Sequence, residues 1–202
     1  MTPTSEHPND LSPEEIVLDL PEQFTTSKEA FATVTKLAVS ILRHAKISAL
    51  GEIDSDTEAV FDDFTAQFQR ITHFAQYVLQ KDQELRDSDG PRLQYGMGLM
   101  MALFYSATRC RNFFVRREAI AILREWPYTN GIWHSLQTAK VAEWIISIEE
   151  ERCSGLEFVL GECRVKLQSL RVALKKGVIA VECMQWSADG ALEPRKANLT
   201  WP

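Results

Sequence analysis

The stretch that most constrains this chain runs from Arg109 to Glu151. It holds two helical patterns separated by Pro127 and by Asn130-Gly131. In the first, Val115, Ala119, Ile122, Leu123 and Trp126 recur at spacings of three and four, the signature of one apolar helix face. Arg116, Arg117, Arg124 and Glu125 fall mostly on the other side. Pro127 disfavours helix at Trp126, and Asn-Gly tolerates the positive φ of a tight turn. The second pattern sets Ile132, Leu136, Ala139, Ala142, Ile145 and Ile146 on one face. Trp133, Val141, Trp144 and Ile148 form a second apolar row, so this helix is expected to be packed on two sides. A short connection makes consecutive helices antiparallel neighbours, which predicts a helical hairpin at the centre of the molecule.

The flanking sequence extends the pattern. Ser12-Pro13-Glu14-Glu15 has the form of a capped helix start, and Ser27 opens a helix carrying Phe31, Val34, Leu37, Ala38, Ile41 and Leu42. Asp56 is placed to cap a long helix to about Leu85, whose apolar stripe includes Phe61, Phe64, Phe68, Ile71 and Phe74. Such a stripe reads as a core seam, with a ligand pocket as the alternative. After the turn cluster Asp87 to Pro91, a helix over Arg92 to Arg109 is nearly all apolar, as befits a helix buried among others. Gly96-Met97-Gly98 lacks the third glycine and preceding strand of a nucleotide loop; close helix packing explains it better. After Glu151 the period changes. Arg164 to Ala173 and Val178 to Trp186, joined at Lys175-Lys176-Gly177, read as a β-hairpin. Asp189-Gly190 marks a second turn, and Leu199 to Pro202 either adds a strand or trails away.

The expected architecture is therefore mainly α: stacked antiparallel helical hairpins in a solenoid-like bundle, with a small C-terminal β-hairpin. Residues 1–11 read as a disordered acidic N-terminus, 12–160 as the helical domain, and 161–202 as a β-hairpin extension packed on it. A chain of 202 residues suits such a unit. The formal net charge of −6 gives no support to nucleic-acid binding by the whole chain. The longest apolar run, Gly96 to Ala107, falls short of the ~20 residues that cross a bilayer. Met1 to Asp10 lacks the basic start and apolar core of a secretory signal, so a reduced intracellular setting is expected.

The search for chemistry returns little. His7, His44, His73 and His134 are isolated, and Cys110, Cys153, Cys163 and Cys183 share no short metal-ligand spacing. No activated nucleophile is signalled. Cys110, between Arg109 and Arg111, is either a thiol acidified by positive charge or a small core residue at a helix end. Asp62-Asp63 is either a metal-binding pair or a solvated face. Glu149-Glu150-Glu151 lies near a helix C-terminus, where negative charge is mildly unfavourable. It calls for a compensating arginine, so an ion-pair network linking Arg116 and Arg117 to Glu143, Glu149 and Glu150 is expected. As surface pairs these would contribute roughly 0–1 kcal/mol each. Arg109 to Arg117 with Phe113 and Phe114 could also grip nucleic acid through phosphates and stacking, which the acidic total argues against.

Arg116-Arg117-Glu118-Ala119, Leu123 to Pro127, Gly131-Ile132-Trp133, Val141 to Ile145 and Glu149-Glu150 together resemble the C-terminal regulatory region of fungal transcription factors of the zinc binuclear cluster (six-cysteine) type. Pro21-Glu22-Gln23-Phe24 with Ala30 and Leu37 is similar to an upstream part of that region. The resemblance implies a nuclear protein in transcription regulation, often of secondary metabolism. It implies a non-catalytic domain acting through a protein partner or small effector, without a cofactor. The six-cysteine array is missing, so direct DNA binding in the family's manner is not expected. Arg116, Arg117, Trp126, Trp133, Glu143 and Trp144 form the candidate interaction surface. The alternative is a helical enzyme or small-molecule-binding protein with a pocket between the helices, lined by the Phe61 to Phe74 stripe and the Gly96 to Ala107 helix.

Overall fold

The computed structural model describes residues 26–49, 59–87, 97–130, 133–151, 153 and 158–201. The readings of residues 1–11, of the helix start at Ser12 and of the cap at Asp56 lie outside them. The described residues form five α-helices and a three-stranded antiparallel sheet. The helices are α1 (Ser27–Ala49), α2 (Thr65–Asp87), α3 (Met97–Arg109), α4 (Phe113–Glu125) and α5 (Ser135–Glu150). A two-residue ladder pairs β1 (Thr129–Asn130) with β2 (Trp133–His134) between α4 and α5. The sheet follows, as β3 (Val165–Ala173), β4 (Val178–Trp186) and β5 (Leu192–Thr200) in the order β3-β4-β5. No described helix is long and apolar enough to cross a membrane.

Local chemistry sets the ends of these elements. Asn112 caps α4, its Oδ1 accepting from the Phe114 and Val115 amides at 3.0 and 3.1 Å. Trp126, next to Pro127, leaves the helix at φ −117° and ψ 77°. At the start of α5, His134 and Gln137 form a capping box. The Leu136 amide donates to His134 Nδ1 at 3.1 Å, and the His134 amide donates to Gln137 Oε1 at 3.2 Å. Before α2, Ala59–Phe64 winds as a 3-10 helix, where the sequence had predicted an α-helix from Asp56. The Thr65 hydroxyl donates to the Asp62 carbonyl at 3.1 Å where the two meet.

α3 packs against α1, α2, α4 and α5, as expected of a helix apolar on all sides. The main core gathers Leu37, Phe64, Phe68, Ile71, Leu103, Ile122 and Ala142 with their neighbours. The aromatic stripe Phe61, Phe64, Phe68 and Phe74 belongs to this core. Gly98 lets α1 approach α3: a Cβ there would stand 3.2 Å from Thr35 Oγ1 and 3.6 Å from its methyl group. A second core lies between α5 and the sheet, joining Val141, Ile145 and Ile148 to Val165, Ile179, Val181 and Cys183. α5 is thus packed on both faces, as its two apolar rows predicted.

The C-terminal region differs from the expected hairpin by a full strand. β5 pairs with β4 along its length, from Val178 with Thr200 to Trp186 with Leu192. The sequence offered a strand only from Leu199, because Glu193, Pro194, Lys196 and Asn198 are poor strand formers. An edge strand with polar exposed positions tolerates them. The turns fall where read: Gly177 takes φ +58° between β3 and β4, and Gly190 takes φ +80° between β4 and β5.

Gly98→Val should destabilise the fold by about 1–3 kcal/mol, since a branched side chain cannot fit against Thr35 without moving α1. Urea denaturation measures this, and an unchanged midpoint would show that the α1–α3 approach is not tight.

Candidate functional site

The arginines and acids of the central segment do form a network, in a form that the sequence reading did not expect. Arg116 was placed on the polar side of α4; it is instead fully buried, at 0% exposure, and so cannot belong to an interaction surface. One guanidinium nitrogen, Nη2, donates to Glu149 Oε2, and Nε donates to the Ala107 carbonyl at 2.8 Å. Glu149 is 1% exposed, and its other oxygen accepts from the Val165 amide at 2.9 Å. Arg164 lies 3.8 Å from that oxygen and donates to the Thr108 and Arg109 carbonyls at 3.3 and 2.9 Å. Two guanidinium groups thus take the last carbonyls of α3, where positive charge is favourable. The Gln185 amide nitrogen similarly donates to the Ile148 carbonyl at 3.0 Å and to Cys163 at 2.8 Å.

Around this buried centre the pairs are more exposed. Arg117 meets Glu150 at 2.5 Å and stacks over Phe113 at 5.2 Å. Arg124 meets Glu143 at 2.5 Å, and the pair raises the Arg124 pKa through its hydrogen bond and charge. Glu118 accepts from Thr72 on α2 at 2.6 Å. Arg111 pairs with Asp62 at 2.5 Å, and Arg109 stacks over Phe61 at 5.5 Å. The arginines that read as a nucleic-acid grip are engaged within the protein.

The tryptophans do not share one surface. Trp126 packs half-buried against the main core, Trp144 against the α5–sheet core, and Trp133 lines a cavity. Cys110 is buried, and desolvation raises its thiol pKa despite the neighbouring arginines. Burial likewise pushes the Cys183 thiol up to about 12. Among the described residues no cluster of three or more His, Cys, Asp and Glu side chains could hold a metal ion.

The cavity lies where α3, α5 and the inner face of the sheet meet, and its volume is about 250 Å³. α3 contributes Met101, Phe104, Tyr105 and Arg109; α5 and the strand before it contribute Trp133, Gln137, Thr138 and Val141. β3 supplies Leu167, Leu170 and Val172, and β4 supplies Ile179. Strict alternation would send Leu167 and Leu170 to opposite faces. A bulge between Leu167 and Ser169 resets the register, so both face inward, opposite Cys183 and Val181. Residues of α3 thus line this cavity, and Phe61, Phe64, Phe68 and Phe74 are not among its described lining residues.

The polar groups in this wall have one character. Gln137 is 4% exposed, and its oxygen is committed to the capping box. The Thr138 hydroxyl is spent on the His134 carbonyl and the Met100 sulfur. Among the described residues, no carboxylate, histidine or cysteine lines the cavity. Sequence reasoning missed Gln137 and the β3 residues, because a capping residue and a bulge bring them together only in the fold.

Comparison with family models, with curated proteins and with solved structures finds no match.

Two outcomes test this electrostatic picture. Arg116→Met should cost about 3–5 kcal/mol by stranding Glu149, whereas Arg117→Met should cost less than about 1 kcal/mol; equal losses in urea denaturation would contradict the assignment. The folded Cys183 thiol holds its proton from the ordinary 9.0 up to about 12 while the unfolded thiol loses it. Stability should therefore be intact below pH 9 and fall as pH rises through that window. A Cys183→Ala variant that keeps the full alkaline decline would refute this.

Proposed function

We propose that this protein is a non-catalytic helical regulatory domain that binds a small effector in the cavity between α3, α5 and the sheet. The carrying observation is that cavity: a concave, mainly apolar space with a few polar groups, the usual form of a small-molecule site. Its lining supports binding over catalysis, since among the described residues it offers no carboxylate, histidine or cysteine. A helical enzyme using the same space is the alternative, favoured only by the Tyr105 hydroxyl in its wall.

In this reading the domain is of the transcription-regulator kind, nuclear and without a DNA-binding zinc cluster of its own. It works through a protein partner that senses whether the cavity is filled, in a pathway such as secondary metabolism. The support is the resemblance, together with what its residues do. Arg116, Arg117 and Glu118 each tie α4 to another helix, through Glu149, Glu150 and Thr72. Internal pairing of the central arginines favours a role without direct DNA contact. We also read α1–α2 and α4–α5 as two antiparallel helical hairpins stacked about α3, a solenoid-like arrangement. The ion pairs 117–150 and 124–143 ascend one helix of the second pair while descending the other.

Thermal unfolding against a panel of small apolar metabolites tests the proposal. Ligands should raise Tm in the native chain by mass action and lose that effect in Val172→Trp, which fills the cavity from β3. Stabilisation that survives in Val172→Trp, or chemical turnover of the stabilising compound, would overturn the reading.

A further inference from the structure

We infer that the cavity takes a compact, uncharged apolar molecule, recognised by shape and apolar contact rather than by an ionic partner. The inference rests on the effector-binding reading and adds the chemical class of the ligand.

A site built for an ion aims donors or acceptors at it that the protein itself leaves unpartnered. This wall holds none: among the described residues, no lining side chain has a buried polar atom that lacks a hydrogen bond. Its polar groups are engaged within the protein. The Gln137 oxygen accepts from the His134 amide, and the Thr138 hydroxyl is spent on the His134 carbonyl and the Met100 sulfur. Arg109 stacks over Phe61 at 5.5 Å and has a further interaction of its own.

An anion entering here would surrender its water shell for a mainly apolar wall. A cation would suffer the same loss, with no carboxylate among the described lining residues and the positive charge of Arg109 against it. A sugar would bury several hydroxyls without partners. What the wall offers instead is apolar surface. The helices contribute Met101, Phe104 and Val141, and the sheet contributes Leu167, Leu170 and Ile179. An engineered apolar cavity of about 150 Å³ binds benzene. At about 250 Å³ this one has room for a ring with short substituents, and it stays below the ~300–1,000 Å³ of drug-sized sites. Met101, with an unbranched and adaptable side chain, can follow the outline of such a molecule.

The probes are 4-isopropylbenzyl alcohol, 4-isopropylbenzoate and 4-isopropylbenzylammonium, which share one ring and one substituent and differ in charge. Isothermal titration calorimetry of the native chain should show the alcohol bound at least about tenfold tighter than either ion, because only the ions give up a charge's hydration. Val172→Trp should remove alcohol binding, with thermal unfolding to show that the variant is folded. Val172→Phe, a smaller change at the same position, should weaken it. Either ion binding as tightly as the alcohol would overturn the inference and leave effector binding standing. Alcohol binding that Val172→Trp does not touch, or binding of none of the probes, would overturn both.

Discussion

The structure depends on one buried ion pair, Arg116 with Glu149. Two opposite charges removed from water gain from each other less than they lose in hydration unless every remaining donor and acceptor is answered. Here answers come from four directions, though among the described residues Arg116 Nη1 makes no hydrogen bond and has only Glu150, at 3.9 Å. The end of α3 supplies the Ala107 carbonyl, α5 supplies Glu149 with Glu150 beside it, β3 supplies the Val165 amide, and Arg164 closes the far side. The pair can therefore be buried only when the helices and the sheet are all in place. Apolar contacts tolerate sliding between elements, whereas this arrangement does not, because a shift of an ångström leaves a charge without a partner. It fixes how the two cores meet.

The cavity follows from that arrangement. α5 is shared between the cores, and β3 is tied to its end where the Val165 amide donates to Glu149. Further along β3, the bulge after Leu167 turns Leu167 and Leu170 toward the cavity. The space that results is walled by α3, α5 and the sheet.

Much of the fold was legible in the sequence because periodicity and caps are local signals. The two apolar rows of α5, the stop at Trp126-Pro127 and the turns at Gly177 and Gly190 are all read from a few adjacent residues. Arg116 was misread because its charge outweighed its position. It stands three, four and seven residues before Ala119, Ile120 and Leu123, on the buried stripe, and Glu149 likewise follows Ala142, Ile145 and Ile146 at those spacings. Two opposite charges on the buried stripes of neighbouring helices were the available sign of an interior pair. β5 was missed because an exposed edge strand has little hydrophobic pattern to read. The cavity was only half legible: its α3 wall lay in the apolar helix, but the bulge on β3 has no sequence mark and Gln137 looks like an ordinary helix-start residue.

The double packing of α5 has a consequence for how this chain can change. A residue inserted in a helix turns everything after it by about 100°. In a helix packed on one side, such a turn can be absorbed by rotating the whole helix about its axis. α5 has no such freedom: Ala142 and Ile146 face the helical core, while Val141, Ile145 and Ile148 face the sheet. Glu149 must still arrive beside Arg116. The length of Ser135–Glu150 is thus fixed from both faces at once, and variation in chain length belongs to the turns around it, such as Ser187 to Ala191 at the outer end of the sheet.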